Sequence, residues 1–336
     1  MPGNAGATPL NARLSAENKA ASAQVTLDAS QYVPTSAGAP AIEAPPHFVL
    51  KWGSDGAGPA KLHDPHGIAC DRSGNVYVAD RGNQRVQVFD SRGTPLRRWG
   101  QSGMFPGDFQ LPQDLALDNA GNVYVADMFN RRIQVFGGDG MLLRIFGGPY
   151  GFGLLNGIDV VDNVLFALDA SNNTVSAFDI YGTPNSNVAF RLRHPNPQGL
   201  AVSQTGDIYV THFSTGLAGV ERYDWGGNVL SEWGSPGIGD GQFNVPMAIS
   251  VDASGDVYVV DAVGARVQKF TADGTFLSAW GESGAGDGQF AQPLGIGINA
   301  QGDIYVADSG HGRIQMFSYS TRVEPMTWTH VKIKYR

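Results

Sequence analysis

The chain repeats itself six times, and no other feature restricts its fold as tightly. A short strand ending in an acid recurs as VYVAD (76–80), VYVAD (123–127), LFALD (165–169), VYVVD (257–261) and IYVAD (304–308), with IYVTH (208–212) in the fourth place. The anchors Asp80, Asp127, Asp169, His212, Asp261 and Asp308 are 47, 42, 43, 49 and 47 residues apart. One unit, PHGIACDRSGNVYVADRGNQRVQVFDSRGTPLRRWG (65–100), holds four β-rich runs: GIACD, NVYVAD, RVQVF and PLRRW. Turn-forming DRSG, RGNQ and DSRG separate them. Six such units predict an all-β chain, a six-bladed β-propeller of four-stranded antiparallel blades.

Ring closure is also readable. Outer strands end in Trp-Gly at 96–100, 229–234 and 276–281, and FVLKWG (48–53) looks the same but has no inner strands before it. The sixth unit (293–317) has inner strands and no clear outer one. The N-terminal strand 48–53 is therefore expected to complete the last blade and remove the exposed edges. Residues 1–46, rich in Ala, Ser, Pro and Gly, read as a flexible tail, and 47–320 as the propeller. The C-terminal tail 321–336 alternates over WTHVKIKYR and offers an added edge strand.

Composition narrows the function. The 45 glycines and the 16% charged residues suit short strands and tight turns. A net charge of −8 argues against nucleic acid as a partner, because phosphate contacts need a basic surface. Cys70 is the only cysteine, so no intrachain disulfide exists, and it falls in an apolar row with Leu117, Val160, Val202, Val251 and Ile298. No apolar run is long enough to span a membrane. The first residues lack the apolar core of a signal peptide. A soluble, cytoplasmic protein is expected, or a secreted one if a signal has been removed.

The pattern PxGIAxDxxGNxYVADxxNxRxQxF, strong in units 1, 2, 5 and 6 and degenerate in 3 and 4, resembles the NHL-repeat family over residues 48–317. The resemblance implies six blades and three kinds of role: enzyme, RNA-binding propeller, or protein-interaction and sensor propeller. Among the enzymes, peptidyl-amidoglycolate lyase holds zinc on histidines at position x of PxGIA in three alternate blades. Here that position reads His66, Gln113, Asn156, Gln198, Met247 and Leu294, so the three-histidine site is not preserved. Arg81 looks like the counterpart of an arginine in the lyase's first blade.

Most prominent residues are explained by their rows. Tyr77, Tyr124, Phe166, Tyr209, Tyr258 and Tyr305 are packing between blades. Arg85, Arg132, Arg266 and Arg313 each follow an anchor acid by five residues and read as its clasp partner. Unit 4 lost both halves, since His212 replaces the acid and Gly219 stands where the arginine belongs. Drift in a loop that no longer needed the clasp is one explanation; an acid–base role for His212 is the other. The mixed, polar ring at position x reads as ligand-facing. Asp159, among small residues in the next inward row, reads as a desolvated carboxylate.

These departures define the candidate site. His212, His66, Arg81 and Asp159 are the candidate catalytic groups. Gln113, Asn156, Gln198, Met247, Met128, Phe129, Phe213, Tyr150 and Phe152 are the candidate ligand-binding groups. The expected partner is a small, partly apolar molecule or peptide at the mouth of the central channel, acted on by a lyase, hydrolase or isomerase using acid–base chemistry. The alternative is a non-catalytic interaction or sensor propeller. Zinc or calcium has no clear ligand set in the sequence, and His63 and His66 need not share a face.

Overall fold

Period-two alternation and a turn signal every few residues allow each unit one solution, a meander of four short strands. A computed structural model describes residues 42–148 and 151–320. It consists of six four-stranded sheets. Strand β1 is His47–Trp52. Blade 1 follows with β2 (Pro65–Cys70), β3 (Val76–Asp80), β4 (Arg85–Phe89) and β5 (Pro95–Trp99). Blade 2 has β6 (Pro112–Leu117), β7 (Val123–Asp127), β8 (Arg132–Phe136) and β9 (Leu142–Gly147). Blade 3 has β10 (Leu155–Val161), β11 (Val164–Asp169), β12 (Thr174–Asp179) and β13 (Pro184–Arg191). Blade 4 has β14 (Pro197–Val202), β15 (Ile208–Ser214), β16 (Leu217–Tyr223) and β17 (Val229–Trp233). Blade 5 has β18 (Pro246–Val251), β19 (Val257–Asp261), β20 (Arg266–Phe270) and β21 (Phe276–Trp280). Blade 6 has β22 (Pro293–Ile298), β23 (Ile304–Asp308) and β24 (Arg313–Ser318).

The fourth strand of blade 6 is β1, which pairs antiparallel with β24 from His47↔Ser318 to Trp52↔Ile314. The ring closes as the sequence predicts. Of the stretch read as a tail, residues 42–46 are described. Glu43 donates its N–H to the Leu277 carbonyl at 2.8 Å and its carboxylate lies 2.6 Å from Lys269 Nζ, so this end of the stretch is tied to blade 5. The rest of the tail and the candidate strand in 321–336 lie outside the described residues.

Packing runs between neighbouring blades. All six members of the tyrosine row are buried. Outer-strand aromatics form a second row that reaches the next blade. Trp52 packs on Gly93 of blade 1, Trp99 on Gly140 of blade 2, and Trp233 on Gly274 of blade 5. Phe146 and Phe190 take the tryptophan's place against Gly182 and Gly227. Gly93 has φ +81° and no room for a side chain under the indole, so both backbone and space require glycine.

At the axis the inner strands meet so closely that side chains are squeezed out. A Cβ on Gly67 would collide with Asp114, and one on Gly295 with the His66 carbonyl. This is why P-x-G recurs, and why any larger residue in the glycine row is informative.

Candidate functional site

The clasps explain the anchor row. Asp80 is fully buried and lies 2.6 Å from Arg85 Nε. The arginine's other nitrogens donate to the carbonyls of Ala57, Gly58 and Lys61 at 2.9, 3.1 and 2.9 Å, and Gln87 Nε2 donates to Lys61 as well. The clasp therefore holds the connector that enters the blade. Blades 2 and 6 repeat it with Asp127–Arg132 and Asp308–Arg313, both at 2.7 Å; Asp261–Arg266 is looser at 3.6 Å.

Connector length decides where a clasp can exist. Residues 53–64, 100–111, 234–245 and 281–292 give twelve-residue connectors into blades 1, 2, 5 and 6. Residues 148–154 give seven into blade 3, and 192–196 give five into blade 4. With five residues there are few carbonyls for an arginine to grip. The β15–β16 hairpin is longer instead, paired from Ile208↔Tyr223 out to Ser214↔Leu217, with His212 opposite Gly219.

The axial channel carries the other departures. Its mouth is a cavity of about 30 Å³ lined by His66, Asn156, Gln198, Met247 and Leu294. Below it a polar chamber of about 280 Å³ extends to the opposite strand ends, among Cys70, Asp114, Leu117, Asp159 and Val202. The mouth accommodates little more than a water; only the chamber approaches the size of a small-ligand site.

Two carboxylates reach the chamber. Asp114 occupies the glycine row (Gly67, Gly157, Gly199, Ala248, Gly295). Its Oδ1 accepts the Leu115 N–H at 2.9 Å, and its Oδ2 accepts the Ile158 N–H of blade 3 at 3.0 Å. Asp159 does the same one blade on, accepting from Val160 at 2.8 Å and from Val202 of blade 4 at 2.7 Å. Burial outweighs these hydrogen bonds. It pushes Asp114 up to about 7, with the Asp159 charge adding to the rise, and Asp159 up to about 6.

His66 is buried, with its Nε2 3.0 Å from the Gln113 Nε2 donor. Burial first, and the Arg81 charge second, drive its pKa down to about 3, so it is neutral at physiological pH. Arg81 itself pairs with Asp64. The Cys70 thiol is pushed well above its usual value by burial and is no ready nucleophile.

His66, Gln113 and Arg81 thus form one neighbourhood, and Asp159 lies in the chamber with Asp114. Asn156 donates to the Pro197 carbonyl of blade 4 at 3.0 Å and so braces a blade contact, while Gln198 donates locally to the Asn196 carbonyl at 2.9 Å. His212 is not with this group. It lines neither the mouth nor the chamber, and the structure encloses it in blade 4, 3% exposed, with its ring 4.6 Å from that of His194. Phe213 packs on the core between blades 4 and 5. Phe152 fills the place against Gly147 that Phe109 fills against Gly100, and it touches Phe178 at 5.5 Å between centroids. Met128 is buried. Phe129 is 55% exposed and shares a groove of about 500 Å³ with Met104. Tyr150 lies outside the described residues. His63 pairs with Asp55 at 2.7 Å, while His66 turns to Gln113, so the two do not converge.

The sequence reading missed Asp114 and His194. Asp114 had a signal, an acid in a row of glycine and alanine. His194 sits in a connector with no counterpart in other units.

Six four-stranded sheets closed around a channel define a β-propeller. The NHL repeat model matches residues 62–89, 109–136 and 290–317, so blades 1, 2 and 6 of the propeller carry NHL repeats. Human NHL repeat-containing protein 3 is 53% identical over 45 residues, 13% of each chain. The rat E3 ubiquitin-protein ligase TRIM71 is 48% identical over 46 residues, 14% of this chain and 5% of its own. The chain thus matches only a small part of these relatives' length. Among solved structures, a protein of unknown function from Bacteroides thetaiotaomicron superposes with TM-score 0.66 at 17% identity, covering 80% of this chain and 76% of that one. A gluconolactonase from Xanthomonas campestris gives 0.58 at 16%, covering 76% and 86%. A virginiamycin B lyase from Staphylococcus aureus gives 0.55 at 15%, covering 77% and 85%. These likenesses show the fold. No helix among the described residues is long and apolar enough to cross a membrane.

Proposed function

We propose that this propeller takes a small, partly apolar ligand at its central channel and acts on it by acid–base chemistry, in a reaction of lyase, hydrolase or isomerase type. The observation that carries this reading is the Asp114–Asp159 pair. Two carboxylates share one polar chamber, and burial holds both near neutrality, at about 7 and about 6. Groups poised in this way can supply one acid and one base at physiological pH. Neutral His66, with Gln113 beside it, is an orienting group at the mouth, and the Arg81 charge lies behind it. The gluconolactonase and the lyase among the structural neighbours show that enzymes use this fold, which supports the reading without deciding it.

The test is turnover of a panel of lactones, esters and cyclic peptides by wild type, Asp114→Asn and Asp159→Asn. Loss of either carboxylate is expected to lower kcat by about 10²–10⁴-fold with folding intact by circular dichroism. Turnover unchanged in both variants, or none on any substrate, would overturn the reading.

A second reading rests on a different surface. Met104, Phe105 and Phe129 are 65, 72 and 55% exposed on the connector and hairpin of blade 2. Such a patch suits an interaction propeller that binds a peptide. Under that reading Phe105→Ser and Phe129→Ser abolish peptide capture, and the axial variants do not affect it.

A further inference from the structure

In blade 4 the clasp was replaced by something else. Its three positions in blade 1 are Asp80, Arg85 and Gln87. The corresponding residues here are His212, Gly219 and Glu221, by the pairings His212↔Gly219 and Val210↔Glu221. The five-residue connector adds His194, and β17 adds Glu232. These side chains meet. His194 Nε2 lies 2.9 Å from Glu232 Oε1 and 3.8 Å from Glu221 Oε1. One ligand atom each from His194, His212 and Glu232 lies within 4.8 Å of the others.

The hydrogen bonding of this cluster is incomplete. Both ring nitrogens of His212 are buried without a partner, and so is Glu221 Oε1. Leaving such groups unmatched in the interior is costly. His194 does not supply the missing bond, because its ring lies over that of His212 at an interplanar angle of 34°. The rest of the cluster is held in place. Glu221 Oε2 accepts the Tyr223 hydroxyl at 2.6 Å, the Tyr223 oxygen accepts the Arg193 N–H at 3.1 Å, and Arg193 reaches Glu232 Oε2 at 3.1 Å. Gly219 leaves the space beside His212 Nε2 free; a Cβ there would come within 3.2 Å of that nitrogen.

We propose that blade 4 carries a binding site for a divalent transition-metal ion of the zinc class, with His194, His212 and Glu232 as ligands and the Glu221 carboxylate on its buried side. Imidazole and carboxylate are the donors such an ion prefers. Two neutral imidazoles and two carboxylates bring a charge of −2, which balances the ion. Bonds of about 2.0–2.2 Å set tetrahedral ligand atoms roughly 3.3–3.5 Å apart, so side-chain rotation alone must close the present span. The ion joins the connector through His194, the hairpin through His212 and the outer strand through Glu232. Arg85 joins the corresponding connector and hairpin in blade 1. None of these four residues lines the channel mouth or the chamber, and the site stands or falls independently of the axial chemistry.

The test uses the untagged full chain, stripped with a chelator and titrated with zinc chloride by calorimetry. Elemental analysis follows dialysis. One equivalent of zinc with a raised Tm is expected. His212→Ala and Glu232→Gln should each weaken binding on the order of 100-fold or more, and His63→Ala should leave it unchanged. Cobalt in place of zinc should give the intense visible bands of a tetrahedral site in wild type only. If His212→Ala fails to fold, the exposed Glu232→Gln decides. No uptake by wild type, or uptake that these ligand variants leave intact, overturns the site.

Discussion

Blades 1 and 4 share one four-strand plan and differ at the end where the connector enters. Blade 1 receives twelve residues and secures them with a buried ion pair and an arginine on three carbonyls. Blade 4 receives five, and its acid, arginine and glutamine have become His212, Gly219 and Glu221. The difference teaches that the clasp is a property of the connector as much as of the repeat. Once the connector shortens, the three positions are released together, and new chemistry can occupy them.

The comparison breaks most visibly at Asp80. Asp80→Ala leaves the Arg85 guanidinium buried without its carboxylate, and denaturant unfolding should show a loss of about 3–5 kcal/mol. A loss under about 1 kcal/mol would mean that the connector carbonyls alone hold the arginine.

The joint between blades 3 and 4 gives the next effect. Most blades meet at the axis through close backbone, whereas Asp159 bridges to Val202. Its folded pKa of about 6 lies above the ordinary carboxylate value, so folding favours the protonated form. The stabilisation is complete below about pH 4 and disappears as pH rises through 6. Between those limits wild type should lose on the order of 2–3 kcal/mol relative to Asp159→Asn. A pH-independent difference would refute the desolvated carboxylate.

Two smaller effects sharpen the contrast in blade 4, both measured with chelator present. Glu221→Gln restores the residue of blades 1, 2, 5 and 6 and removes a carboxylate whose Oε1 is buried and unpartnered; a gain of about 1 kcal/mol is expected. His212→Ala removes a ring that makes no hydrogen bond, and should cost under about 1 kcal/mol. A loss at His212 as large as that at Asp80 would erase the distinction between the two blades.

The blades, the closure by β1 and the packing rows were legible because each is enforced at a fixed period. Each tyrosine of the inner row and each tryptophan of the outer row has counterparts that reveal its role. The packing role of Phe152, a candidate ligand-binding group in the sequence, was hidden because its seven-residue connector shifts the spacing, although Gly147 receives it as Gly100 receives Phe109. The axial site was half legible. Asp159 stands out among small residues, whereas Asp114 takes the place of the glycine beside position x, a row set by close backbone packing that gives no ligand signal of its own. The blade 4 cluster was not legible as a cluster. His194, His212, Glu221 and Glu232 come from four separate segments, and only strand pairing brings them together.

The most direct measurement is a carbon-13 NMR titration of the aspartate carboxyls, with Asp114→Asn and Asp159→Asn used for assignment. Two midpoints near 7 and 6 are predicted, and the Asp114 midpoint should fall when Asp159 is replaced, because the Asp159 charge contributes to it. Midpoints near 4 for both, the ordinary carboxylate value, would contradict the account and remove the acid–base pair from the channel.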